Sequence, residues 1–207
     1  MNKILKFSAI ALLASSTSLM AQMTKTGPYI GAGIGIAGAA AEGTFTDSNS
    51  AKSSGTVGKV GALPQLEIGY QATSNLSFGL TYTPLKAKFD ATSDSGDVTN
   101  AKVELKDIYT VYIQPSFALG SNSEVFAKLG YSRSKLSGTN ITGLSSNVNG
   151  KLFAIGNRSY VNNNTYIQIE GSYSDFSSIS GTNIGGTNSA TADPKIAAGL
   201  VSVGYKF

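Results

Sequence analysis

Four charged residues stand in stretches that otherwise avoid charge: Glu67, Lys128, Arg158 and Glu170. Such groups can serve as acid, base, ion relay or structural pair, and their neighbours decide which. The chain contains no His and no Cys. A Ser hydroxyl therefore has no imidazole to activate it, and neither a thiolate nucleophile nor a Cys-ligated metal has a donor. The sequence nominates no catalytic, cofactor-binding or metal residue. What remains is charge pairing, and the question becomes which elements hold these charges together.

The elements are strands. In Gly199–Phe207 the residues Val201, Val203, Tyr205 and Phe207 alternate with Ser202, Gly204 and Lys206, a period of two. The same alternation recurs in 27–40, 62–72, 75–88, 104–119, 124–136 and 165–176, and less cleanly in 150–161, where Asn157-Arg158-Ser159 blurs the phase. In 104–119 the apolar phase reads Leu105, Tyr109, Val111, Ile113, Phe117 and Leu119. Short connectors at 73–75, 120–123 and 162–164 are rich in turn formers, and long polar ones cover 41–61, 89–103, 137–149 and 178–194. Ser-Gly-Thr-Asn-Ile occurs at both 137–141 and 180–184 and reads as coincidence. Alternating short and long connectors predict an all-β, eight-stranded antiparallel up-and-down barrel.

Composition says where such a barrel belongs. Charged residues make up 14 % of the chain, against about 25 % in soluble domains, so a charged skin cannot be assembled. No run after residue 21 approaches the length of a spanning helix. Residues 1–21 have Lys3 and Lys6, an apolar stretch and Leu19-Met20-Ala21, and are expected to be a cleaved signal peptide, leaving 22–207 as the barrel. Losing two lysines takes the net charge from +4 to +2, which argues against a nucleic-acid partner. Gly33-Ile-Gly-Ile-Ala-Gly38 has the dinucleotide-loop form, but with no helix after it the glycines read as residues facing a narrow lumen. The polar phase of the strands is mostly Gly, Ser, Thr and Gln, and the apolar phase carries aromatics near strand ends. Greasy face outward, in lipid, with short periplasmic turns and long extracellular loops, satisfies both.

The chain resembles the small outer-membrane β-barrels that include the transmembrane domain of OmpA, OmpX and the opacity-type surface proteins. The resemblance rests on Pro28-Tyr-Ile-Gly-Ala-Gly-Ile-Gly35, Phe126-Ala-Lys-Leu-Gly-Tyr131 and Val203-Gly-Tyr-Lys-Phe207. It implies residence in the outer membrane of a Gram-negative bacterium. It also implies that the terminal aromatic Phe207, with Tyr205, forms the signal read by the barrel-assembly machinery.

Counted from the short turns, Glu67, Lys128 and Glu170 reach similar depths on the inner phase, agreeing within about 5 Å at roughly 2.3 Å of axial rise per residue. A lumen network of Glu67, Lys128 and Glu170 is expected, with Arg158 if it points inward and with Gln65, Gln114 and Gln168 as neighbours. Such a layer is either a static plug or a gate. Lys86, Lys88, Arg133, Lys135 and Lys195 face outward at the loop end by parity, as candidate contacts for lipopolysaccharide phosphates. Three roles stay open: a monomeric structural barrel that displays its loops, a narrow low-conductance pore, or recognition of an extracellular ligand by the loops.

Overall fold

The computed structural model describes residues 26–46, 52–91, 101–183 and 188–207; the expected signal segment 1–21 lies outside them. Ten strands follow in chain order: β1 (Gly27–Thr46), β2 (Lys52–Thr73), β3 (Leu76–Ala91), β4 (Ala101–Ala118), β5 (Ser123–Thr139), β6 (Ile141–Thr142), β7 (Asn147–Tyr160), β8 (Thr165–Phe176), β9 (Ile179–Asn183) and β10 (Ser189–Lys206). Eight are staves, in the order β1-β2-β3-β4-β5-β7-β8-β10, and β10 pairs back onto β1. Every ladder is antiparallel. Closure is what a sheet in lipid requires, because an open edge would leave backbone groups unpaired. It also anchors the end of the chain: β1 and β10 pair from Tyr29↔Lys206 to Thr46↔Ser189, and the Phe207 amide donates to the Pro28 carbonyl at 3.0 Å.

The apolar phase faces out. Ile34, Ile68, Val111, Ile155, Ile169 and Val203 each expose more than half their surface, which suits hydrocarbon and not water. Aromatic pairs mark both ends of this band. Tyr70 stacks on Phe78 near the short turns with ring centroids 5.8 Å apart, and Tyr82 stacks on Tyr109 toward the loops at 4.8 Å.

The wall is taller than the sequence suggests. The long connectors of 41–61 and 178–194 are largely strand, since β1 continues to Thr46, β2 begins at Lys52 and β10 begins at Ser189. Ladder hydrogen bonds hold these polar stretches without any apolar face to advertise them. At the rim, Ile141 of one Ser-Gly-Thr-Asn-Ile copy pairs with Asn183 of the other, so the repeat has a place in the structure.

One strand changes phase midway. Leu105, expected outside, is fully buried in the lumen, whereas Tyr109 faces out. The cause is a bulge: the β4–β5 register shifts between Lys106 and Tyr109, and Asp107 sits there at φ 51°. Asp tolerates that left-handed conformation better than most residues, and the extra residue flips everything above it.

Candidate functional site

The lumen has two tiers. Near the short turns it is polar and aromatic, and the strand pairing explains how it fills. Tyr29 lies directly across from Gly69, Tyr112 from Gly79, Phe126 from Gly156 and Tyr166 from Gly204. A methyl group on each glycine would meet the opposing ring at 2.3, 2.8, 2.3 and 2.0 Å respectively. Each ring therefore lies flat over a neighbour that has no side chain. The four pairs use the eight staves two at a time, β1–β2, β3–β4, β5–β7 and β8–β10.

Charged groups sit among these rings. Lys128 Nζ donates to Glu67 Oε1 at 3.0 Å and to Glu170 Oε2 at 2.7 Å. Tyr112 donates its hydroxyl to the same Glu67 oxygen at 2.5 Å and lies 2.7 Å from the Tyr29 hydroxyl. Lys128 Nζ also stands 4.5 Å from the Tyr112 ring centroid, so the ammonium meets carboxylates and a π-face together. Gln168 bridges to the second cluster, donating to Glu170 at 3.2 Å while its Oε1 accepts from Arg158 Nε at 2.9 Å. Arg158 is fully buried, lies 4.3 Å over the Tyr166 ring, and donates from Nη1 to Glu124 Oε1 at 3.3 Å. Ser116 donates to the other Glu124 oxygen at 3.0 Å, and Tyr160 donates to the first at 3.4 Å.

The structure thus brings Glu67, Lys128, Glu170 and Arg158 together, with Arg158 pointing inward. Sequence reasoning missed two members. Glu124 is 3 % exposed inside the barrel; it opens β5 next to a turn, and only its inward parity with Lys128 could have flagged it. Lys206, also 3 % exposed, stands 5.8 Å from the Tyr160 ring; it shares the phase of Ser202 and Gly204. Three buried cations then face three buried carboxylates, the balance that a low-dielectric site needs. Gln114, expected as a neighbour of this layer, is buried with neither side-chain atom bonded to protein, and Gln65 has no hydrogen bond to the layer.

Above this charged layer the lumen turns apolar, a correction to the polar interior that the sequence suggested. Leu63, Leu85, Leu105, Ile108, Leu136, Val148, Phe176, Ile179, Ile196 and Leu200 form one buried cluster, with Ala37, Ala39 and Ala41 of β1. Val148 and Ile179 lie in stretches read as loops, and Leu105 and Ile108 flank the β4 bulge; Leu63, Leu136, Phe176 and Leu200 continue the inward phase of regular strands, where the polar residues below them masked the change of character.

The wall beside the apolar tier is open. The β2–β3 ladder runs only from Thr73↔Leu76 to Leu66↔Tyr82, although both strands continue toward the loops, β2 against β1 and β3 against β4. Pro64 and Pro84 stand just beyond the last pair. Proline removes a ladder donor and belongs at edges; here each strand is locally an edge. A cavity of about 210 Å³ fills the parting, with Ala37 and Ala39 behind it, Val60 and Ala62 on one side, and Pro84 and Leu85 on the other. Lys86 flanks it on the outer face, and Lys59, directly across from Ala39 on the lumen phase, also lines it. Tyr82 is six residues from the start of β3, or roughly 14 Å of axial rise in a band about 25 Å tall. The seam therefore opens within the outer half of the apolar band.

Of the outward cations, Lys86, Arg133 and Lys135 are exposed on the outer face. Lys195 is ion-paired with Glu42 at 3.1 Å. The side chain of Lys88 lies outside the described residues. The C-terminal pair packs edge to face, Tyr205 against Phe207 at 5.1 Å, both on the outer wall.

An eight-stave closed barrel with a lipid-compatible exterior and a charge-balanced interior defines the class: a small transmembrane β-barrel. The chain belongs to the family described as outer membrane protein beta-barrel domain, whose model matches residues 7–207. That membership places it with outer-membrane barrels of Gram-negative bacteria. No curated protein matches it in sequence. Among solved structures it is similar to OprG from Pseudomonas aeruginosa, with 15 % identity, 90 % of this chain and 98 % of that one covered, and a TM-score of 0.65. AlkL, determined in DMPC bilayers, shares 17 % identity over 94 % of each chain at a TM-score of 0.54. Neisserial surface protein A shares 15 % identity over 84 % of this chain and 97 % of that one, at 0.51. Identities this low speak for the fold alone.

Proposed function

We propose that this barrel is a lateral conduit for small apolar molecules: they enter from the loop end, occupy the apolar upper lumen and leave sideways through the seam into the outer leaflet. The observation that carries this reading is the parting of β2 from β3 above Leu66 and Tyr82, with a cavity lined both by Ala37, Ala39 and Leu85 of the lumen cluster and by the exposed Val60 and Pro84. Unpaired backbone in hydrocarbon is costly and is tolerated where it lines a cavity, so the seam is a built feature. The floor supports the same direction. Arg158, Lys128, Glu67, Glu124 and Glu170 are at most 4 % exposed, which favours a static plug over a gated ion path.

The reading includes no catalysis, for which the chain offers neither His nor Cys. It also includes export behind a cleaved 1–21 signal, insertion directed by Tyr205 and Phe207, and a monomeric barrel. A second role is compatible with it. β1 and β2 are 20 and 22 residues long, roughly 50 Å of wall at about 2.3 Å per residue, and the part above the membrane can display its loops to an extracellular ligand.

The test uses intact cells of a strain expressing the protein. Wild type should speed entry of an apolar fluorescent probe, and Leu85→Trp, which fills the seam, should slow it toward the barrel-free rate. Equal entry with and without the barrel would refute the conduit.

A further inference from the structure

On the outer wall the strand pairing sets three lysines side by side. Lys86 of β3 is the direct partner of Lys106 of β4, and Lys106 is the direct partner of Lys135 of β5. Adjacent strands lie about 4.8 Å apart, so three ammonium stems leave the wall in one row. Arg133 extends the row downward on the same face of β5, opposite Tyr109. Lys106 belongs to this face only because of the Asp107 bulge, which turns Leu105 inward and Lys106 outward.

Like charges directly opposite one another destabilise a ladder, and little protein anion offsets these. Glu104 pairs with Lys106 at 2.8 Å, and Asp107 accepts the Tyr82 hydroxyl at 3.1 Å. Lys86, Lys135 and Arg133 have no carboxylate partner among the described residues. Among the described side chains, four cations therefore stand against two carboxylates.

Height identifies the occupant. On β5 the outward residues run Val125, Ala127, Leu129, Tyr131, and then Arg133 and Lys135. On β3 the described outward series runs Tyr82, Pro84, Lys86. The row thus begins where the hydrocarbon band and its aromatic girdle stop, at the level of lipid headgroups. A lysine ammonium binds phosphate as a compact charge with three N–H donors and an arginine guanidinium as a planar fork, and such charge-assisted bonds are among the strong ones.

We propose that Lys86, Lys106, Lys135 and Arg133 form a docking site for the phosphorylated headgroup of an outer-leaflet lipid, the lipid A part of lipopolysaccharide. The site is independent of the lateral-conduit reading. Lys195 stands outside it, engaged by Glu42 on the β1–β10 side.

The test is lipid retention by the full mature barrel, refolded in zwitterionic detergent and followed by native mass spectrometry. The probes are diphosphoryl lipid A, its dephosphorylated form and inorganic phosphate. Wild type should retain diphosphoryl lipid A, less so as salt rises. K86Q/K106Q/K135Q should retain it roughly tenfold more weakly, K86R/K106R/K135R should restore it, and K195Q should match wild type. Equal retention of the dephosphorylated lipid, displacement by inorganic phosphate, or salt-independent binding would overturn the proposal. If the triple Gln variant does not refold, R133Q and the salt series decide by the same criteria.

Discussion

Tyr29 and Gly69 face each other across the β1–β2 ladder so closely that a methyl on the glycine would lie 2.3 Å from the tyrosine ring. The ring occupies the space that a side chain at Gly69 would take, and its hydroxyl is thereby delivered to Tyr112, which holds Glu67. A packing constraint on the wall is in this way also a constraint on the charge layer. Three further ring–glycine pairs repeat the arrangement around the barrel.

Gly204→Ala is the sharpest test of this packing, because Tyr166 Cζ would stand 2.0 Å from the new methyl. Overpacking of a filled interior costs about 1–3 kcal/mol. The urea midpoint of the variant refolded in DMPC vesicles should fall accordingly. Gly38→Ala, with open space around its methyl position, should fall by less.

Lys128→Ala should be severe. It leaves Glu67 and Glu170 buried without their cation, and breaking a buried pair from one side costs about 3–5 kcal/mol. The triple variant Lys128→Ala, Glu67→Gln, Glu170→Gln should recover part of that loss, since the stranded charges are gone. Unfolding midpoints of the two proteins give the comparison; no recovery would show that the lysine acts by packing alone.

The seam should exchange hydrogen early. Amides of Val60 to Leu63 and of Leu85 and Lys86 that would point across the parting lack a β2–β3 partner, and unpaired amides exchange faster than ladder amides. Protection along β1–β10, paired from Tyr29 to Thr46, should be higher. Uniform protection in both places would mean that the wall is closed.

Phe207 has a structural contact and an expected role in assembly, and deletion separates them. Its amide bonds Pro28 at 3.0 Å and its ring packs on Tyr205, a small share of a ladder that reaches Ser189. Removing it should leave refolding in detergent nearly unchanged while lowering the amount assembled in the outer membrane of cells. Normal assembly of the deletion would sink the signal reading.

How much of this was legible in the sequence depended on whether the alternation stayed regular. Where it did, as from Val125 to Tyr131, the face, the depth and the meeting of Lys128 with Glu67 and Glu170 could all be read from residue spacing. Where a bulge intervened it misled: Asp107 reversed Leu105 and Lys106, hiding both an apolar lumen residue and the middle lysine of the outer row. Arg158 could not be aimed, because Asn157 and Ser159 on either side are as polar as it is. The seam was illegible for another reason. Pro64 and Pro84 are visible in the sequence, but which strands part beside them is a property of the pairing, and periodicity within a single strand carries no information about its neighbours.

The most direct test of the account is the rate of apolar-probe entry into cells carrying Pro64→Val with Pro84→Val, measured beside wild type at equal surface abundance. These substitutions restore two ladder donors and let β2 and β3 pair further toward the loops. The lateral conduit predicts entry that falls toward the barrel-free rate while planar-bilayer ion conductance stays silent in both proteins. Unchanged entry in a variant whose seam amides have become protected would contradict it.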